Sequence, residues 1–472
     1  MQRFFRDVMF GIGVCLILGH QSIAADSACV DRLASKEVPN AFDRLPNGNY
    51  RCLRLQSGVH VWVGEWGEAA RPAVILVHGM GHNAHRDWRA TVPALLPHFR
   101  VVAFDLPGFG ASEVASGTYS LPALTEVVRE IAQLAKAPRF HLIGHSLGAS
   151  ISLEFAARYP ESVDRLVLVD VAGVLLRSVF IRHLAEDNVA AMGLDSLTLL
   201  LGGAGGISQL LDQLEEQSAL VQMVLEAPSV RGALFGRAVF PDAAVALLDH
   251  DFTPAIQKVA RPTTIIWGEE DAVTPVRVGE LLADRMLNAR LRIIEGAQHM
   301  PMNQRPDAFN RALVEALQGP DMLRAPAPID PESQGDARCE NQTGVRYSGT
   351  FERLILESCS GVTIENARAR RLIANRSSIA ARNLHVISTD VALELSDSTL
   401  MLTNGIVGGR IAIVADNSRL DLAGVTLRGV ERGVQTRRPS RIYFSVSEYS
   451  APEFQGNAHF SWPPAPVNAS TQ

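Results

Sequence analysis

Between Val59 and about Leu317 the chain alternates short apolar runs with stretches of helical spacing. Ala73–Val77 and residues 101–104, 140–143, 166–169, 263–267 and 291–294 are continuous or nearly continuous aliphatic and β-branched runs, each followed by a glycine or a charged turn. Runs apolar at every position predict strands buried on both faces, the pattern of a mostly parallel sheet with helices on each side. Residues 59–63 alternate instead and predict an antiparallel edge strand at the start. The fold class is therefore doubly wound α/β. The alternation breaks over about 173–249, where Leu210, Leu211, Leu214, Leu220, Val221, Val224 and Leu225 recur at three- and four-residue spacings. Such amphipathic helices are expected to cap the C-terminal edge of the sheet. The glycine-rich stretch 201–206 within them reads equally as a hinge or as a plain flexible loop.

Residues 319–338 are rich in Pro, Asp and Ser, lack apolar periodicity and read as a linker. Beyond them the pattern changes to short alternating runs opening at Ser360, Ser377, Ser398, Ser418 and Ser440, which step by 17, 21, 20 and 22 residues. Asn366, Asn383 and Asn404 occupy a common place in three of these repeats, and Gly424 takes it in the fourth. Near-constant short strands without helices predict an all-β C-terminal domain, a small parallel β-helix with asparagines laddering along its axis. A compact β-sandwich with hairpin turns is the alternative. The expected division is a signal peptide at 1–24, an N-terminal extension at 25–54, the α/β domain at 55–318, the linker at 319–338, the β domain at 339–450 and a tail at 451–472.

Composition narrows the class. With 472 residues, 47% hydrophobic, the chain is long enough for two or three globular domains. Arg3 and Arg6, an apolar stretch at 8–19 and Ser22-Ile23-Ala24 read as a secretory signal cleaved after Ala24, which predicts a secreted or periplasmic protein. That stretch is shorter than the roughly 20 residues a bilayer requires, so no membrane span is expected. Cys15 follows Val14, too large a residue for a lipoprotein acceptor site. Net charge is −6, or −7 once Arg3, Arg6 and Asp7 are lost, and gives no reason to expect a nucleic-acid partner. Cys29, Cys52, Cys339 and Cys359 remain, an even number suited to disulfides in an exported protein. Three pairings are possible; Cys29 with Cys52 and Cys339 with Cys359 are favoured because each pair lies close in sequence. No cysteine spacing resembles a zinc site, and neither metal nor cofactor is expected.

The candidate chemistry centres on Gly144-His145-Ser146-Leu147-Gly148, fed by an apolar run and followed by a small-residue helical stretch. In so tight a strand-to-helix turn Ser146 would project alone, with Gly144 and Gly148 keeping neighbouring elements clear. Acyl transfer by serine needs a base, an acid that orients it, and backbone donors for the oxyanion. His299 follows the last apolar run, and Asp271 follows the run at 263–267, so both fall on the strand edge where Ser146 lies. Asp170, at the end of 166–169, is a backup acid. Glu269 and Glu270 are expected to be solvated. After 73–77, Gly79 lets the backbone approach a substrate, making the Met80 and Leu147 amides the candidate oxyanion hole. His78 and His82 read as structural or rim residues, and the turn Asp105-Leu106-Pro107-Gly108-Phe109-Gly110 as a brace beside the elbow.

In this order the motifs H-G-x-G, D-x-P-G-x-G and G-x-S-x-G, followed by Asp271 and His299, resemble the α/β-hydrolase superfamily over residues 55 to 318. The 78–84 stretch and the Asp105 turn are similar to small carboxylesterases. The resemblance implies Ser146 as nucleophile, His299 as base, Asp271 as acid, and Met80 and Leu147 as oxyanion donors. Serine at the elbow argues against the dehalogenase and epoxide hydrolase branches, which carry aspartate there. The expected function is hydrolysis of a small-molecule carboxylic ester through an acyl-enzyme. Carbon–carbon bond or lactone hydrolysis by the same triad is an alternative. So is a protein whose C-terminal coils bind a glycan or partner chain as the main function. Asp390, Asp397, Asp416 and Asp421 could suggest a polysaccharide lyase or calcium site there; solvated carboxylates are the expectation.

Overall fold

A computed structural model describes residues 47–81, 84–115, 119–175, 243, 247, 250–320, 332–455 and 458–461. The expected signal peptide, Cys29, His82, the glycine-rich stretch and nearly all of the expected cap lie outside them.

The first unit is built on eight strands: β1 (Asn49–Arg54), β2 (His60–Trp66), β3 (Ala73–Val77), β4 (Arg100–Phe104), β5 (Phe140–His145), β6 (Val163–Val169), β7 (Thr263–Gly268) and β8 (Ala289–Ile294). They lie in the order β1-β2-β4-β3-β5-β6-β7-β8. Only the pairings of β2, with β1 and with β4, are antiparallel. Helices α1 (Leu121–Leu134), α2 (Leu147–Arg158), α3 (Thr253–Lys258), α4 (Val276–Arg285) and α5 (Pro306–Gln318) pack against the sheet. β3, β4, β5 and β7 are buried at every position, as their unbroken apolar runs require.

Two strand expectations are corrected. The alternating strand at residues 59–63 is not the edge, because β1 pairs along its outer side with Cys52 opposite Trp62; β1 also lies upstream of residue 55, the expected start of the domain. β8 is not buried on both faces: it is the sheet edge, and Ile293 is exposed.

The second unit runs from β9 (Asp336–Glu340) through β10 (Arg346–Glu357), β11 (Val362–Asn375), β12 (Ser378–Ile387), β13 (Val391–Ser396), β14 (Thr399–Asp416), β15 (Arg419–Gln435), β16 (Ser440–Ser445), β17 (Glu448–Ser450) and β18 (Glu453–Gln455) to β19 (Ala458–Ser461). Every described pairing is parallel, with partners 17 residues apart at Asp336 and Arg353 and 22 apart at Arg419 and Arg441. Hairpins would pair antiparallel, so the sandwich alternative is overturned for the described strands. β9 begins at Asp336, inside the expected linker, and the strands continue past residue 450, into the expected tail.

The repeated residues have physical roles. Asn366, Asn383, Asn404 and Gly424 all have positive φ, from 49° to 66°, marking one bend in successive coils; asparagine and glycine tolerate that region best. Asn383 donates to Asn366 at 2.9 Å, but the expected ladder stops there, because Asn404 turns to the Asp284 carboxylate at 2.9 Å. Serine supplies a second ladder. The amides of Ser377, Ser398 and Ser418 each donate to the hydroxyl of Ser398, Ser418 and Ser440 in turn, at 3.1, 3.2 and 3.1 Å. Below them the Cys359 amide, not that of Ser360, bonds Ser377, and Cys359 is disulfide-bonded to Cys339. Cys52 is also disulfide-bonded. Asp390 and Asp397 are exposed, as expected, in surface ion pairs with Arg410 and Arg438. Asp416 and Asp421 are buried instead, Asp416 accepting from the Arg437 and Arg438 amides and Asp421 paired with Arg277.

Candidate active site

β5 ends at His145 and α2 begins at Leu147, so Ser146 must reverse the chain within one residue. Its φ of 51° and ψ of −118° lie in a strained region for a side-chain-bearing residue, as expected of a nucleophile elbow. A Cβ on Gly144 would overlap the Gly148 carbonyl, and one on Gly148 the Val77 carbonyl. Both glycines are therefore required by close approach. The Ser146 amide donates to Val169 at 2.8 Å, tying the elbow to β6.

His299 and Asp271 reach the same strand edge from the loops after β8 and β7. His299 Nε2 is 3.1 Å from the Ser146 hydroxyl, and its Nδ1 is 2.8 Å from Asp271 Oδ2. A proton on Nδ1, facing the carboxylate, leaves Nε2 to accept from Ser146. Asp271 is fixed by its own turn: Oδ1 accepts from the Val273 and Thr274 amides at 2.8 and 3.0 Å, and Oδ2 from the Thr274 hydroxyl at 2.6 Å. Burial alone would raise the Asp271 carboxyl, but the bonds from His299 and Thr274 outweigh it and hold it below the usual range.

The expected oxyanion loop lies against Ser146. A Cβ on Gly79 would come within 2.7 Å of His145 Nδ1 and 3.1 Å of Ser146 Cβ, so only glycine permits this approach ahead of Met80. Leu147, the other expected donor, opens α2 and is fully buried. His78 braces the loop, bonding the Gly79 carbonyl through Nδ1 at 2.7 Å and accepting the Leu106 amide at Nε2 at 2.9 Å. The Asp105 turn is held in its turn by the His85 and Ala111 amides. Glu269 is exposed and accepts the Gly296 amide.

Three contributors were not singled out by sequence, or not in this role. His145 donates from Nε2 to the His299 carbonyl at 2.7 Å, and burial pushes its pKa down to about 3, so it serves as a neutral peg. Its place beside the serine in the elbow was the available signal. Thr274 carried none. Asp170, the backup acid, accepts the Gly268 amide at 2.9 Å from a left-handed position with φ 46°. Burial and then the neighbouring Asp271 push it well above the usual carboxylate range. The two neighbouring carboxyls are thus pushed apart, Asp170 upward and Asp271 downward. His145, Asp170 and His299 have metal-ligand-type atoms within 4.8 Å of one another. His299 has both ring nitrogens engaged in this hydrogen-bonded network, and His145 has Nε2 engaged.

A family model for the α/β hydrolase fold matches residues 72–198. An uncharacterized protein of Mycobacterium tuberculosis is 32% identical over 256 residues, spanning 50% of this chain and 73% of that protein. A monoacylglycerol lipase of Xenopus laevis is 28% identical over 271 residues, spanning 52% of this chain and 75% of the lipase. A crystal structure of a hydrolase from Pseudomonas aeruginosa aligns with 58% of this chain and 100% of its own, at 26% identity and a TM-score of 0.43. The chain belongs to the α/β-hydrolase family. Its relatives include hydrolases and lipases, and the all-β unit lies outside the family match.

Proposed function

We propose that the chain is an exported serine hydrolase that cleaves a carboxylic ester through an acyl-enzyme. Ser146 attacks the ester carbonyl as His299 takes its proton, and Asp271 stabilises the resulting imidazolium. The Met80 and Leu147 amides receive the negative charge that develops on the carbonyl oxygen. His299 then protonates the departing alcohol, and water attacks the acyl-enzyme by the same route in reverse. The observation that carries this reading is the unbroken relay of 3.1 and 2.8 Å from the Ser146 hydroxyl through His299 to Asp271.

The lipase relative supports an ester over other acyl compounds. Export is supported by the Cys339–Cys359 disulfide. The proposed division places the hydrolase unit up to about residue 318 and the β domain from β9, at Asp336, onward. A fluorophosphonate probe followed by peptide mass spectrometry tests the mechanism: the adduct is expected on Ser146 and to disappear in His299→Ala. Labelling elsewhere, or none in folded protein, refutes it.

A further inference from the structure

The two units share an interface built on α4, the helix that continues directly from the Asp271 turn. Its residues Arg277, Glu280, Leu281, Asp284 and Arg285, spaced as one helical stripe, all meet the coils. Arg277 makes a two-pronged ion pair with Asp421 at 2.6 and 3.2 Å. Glu280 pairs with Arg382, Asp284 accepts from Asn404, and Arg285 pairs with Glu448 at 3.0 Å. Leu281 fills the space above Gly424, where a Cβ would overlap its methyl group. Ala423, Tyr443 and Val446 of the coils are buried within the apolar core of the hydrolase unit.

The Arg277 pair stands out because of where it sits. Arg277 lies in the first turn of α4, which contains no acidic residue, and Pro275 offers no side-chain cap. A cation there opposes the helix dipole and is favourable only with an anion beside it. Asp421 supplies that anion from β15, and both side chains are only 12% exposed. From Arg277 the chain runs back through Thr274, whose carbonyl accepts from Trp267 at 3.0 Å and whose hydroxyl holds Asp271, to the carboxylate facing His299.

We propose that Asp421 is a positioning residue for Asp271: the coils, through the Asp421–Arg277 pair, hold the start of α4 and so keep the acid turn in register with His299. Hydrolysis then depends on the coils being seated, and they are part of the enzyme and not a detachable appendage. This inference rests on the triad reading above.

The test uses the full chain and a short-chain chromogenic ester. In Asp421→Asn, kcat is expected to fall roughly ten- to a hundredfold with KM changed less than about twofold, since misplacing a catalytic group costs rate and not ground-state binding. Asp421→Glu restores the charge and should regain most of kcat. Glu448→Gln breaks the pair at the far end of the same helix; it should lower Tm and leave kcat unchanged. If Asp421→Asn does not accumulate folded, Arg277→Gln removes the buried cation with the pair and is expected to show the same loss of kcat. The proposal is overturned if either variant keeps wild-type kcat, or if Glu448→Gln loses as much as Asp421→Asn. Failure of the triad reading is separately visible as absent Ser146 labelling in the unsubstituted chain.

Discussion

Replacing Asp271 by Asn exchanges one oxygen of the relay for an amide nitrogen, and the hydrogen bonds around it dictate where that nitrogen can go. Each carboxylate oxygen already receives two donors: Oδ1 the amides of Val273 and Thr274, Oδ2 the Thr274 hydroxyl and His299 Nδ1. An amide nitrogen at the Oδ1 place would oppose two N–H groups that cannot turn away. It must therefore sit at the Oδ2 place, where Thr274 can rotate to accept and His299 Nδ1 must also accept. The imidazole proton then moves to Nε2, the nitrogen 3.1 Å from Ser146, which can no longer act as base. The expected loss is about four orders of magnitude in kcat, roughly 5 kcal/mol at about 1.4 kcal/mol per tenfold. Burst-phase acylation by a chromogenic ester, with the fluorophosphonate rate measured in parallel, reads the step directly. KM and Tm should stay near their original values. If Asp271→Asn acylates within tenfold of the parent chain, Asp271 is not the acid, and Asp170 becomes the residue to substitute next.

Asp170→Asn keeps an acceptor for the Gly268 amide but removes an acid whose folded pKa is raised by burial and by Asp271. A raised folded pKa means the native state holds a proton that the unfolded chain releases. Stability is then fully present below the ordinary carboxylate range and falls as pH rises, by about 1.4 kcal/mol per unit, up to the folded pKa. Denaturant unfolding across a pH series should show that fall in the parent and a flatter profile in Asp170→Asn; equal slopes would disprove the upward shift. Replacing Cys339 and Cys359 by Ala opens a bridge between residues 20 apart and should cost about 3 kcal/mol of coil stability, read as loss of protection in hydrogen exchange. Gly424→Ala sets a Cβ against Leu281 and Asn404 at a φ of 66°, so it should destabilise the interface by roughly 1–3 kcal/mol. Unchanged thermal unfolding of that variant would mean α4 can yield.

Legibility in the sequence tracks the range of the interactions involved. The Ser146 elbow, His299 and the Asp271 loop could be read because each is announced locally, by a strand-to-helix turn or by the apolar run that ends just before it. The coils were legible for the same reason, since a repeat of about 20 residues places equivalent side chains at equal intervals. Edges were not legible. Whether β8 is covered depends on what lies beside it, and its run looks like those of the central strands. Nor could the chain reveal which repeated positions would be diverted: Asn404 leaves its ladder only because α4, 120 residues earlier, brings Asp284 to it. Gly424 shows the other side of the same contact. Its interruption of the asparagine series looks like a lapse in the repeat, yet the space it leaves is occupied by Leu281. The departures from the repeat at Asn404 and Gly424, together with the buried Asp421, thus mark one surface. A periodic domain loses its regularity where it is docked, so irregular positions in its repeats locate the partner face that periodicity itself cannot reveal.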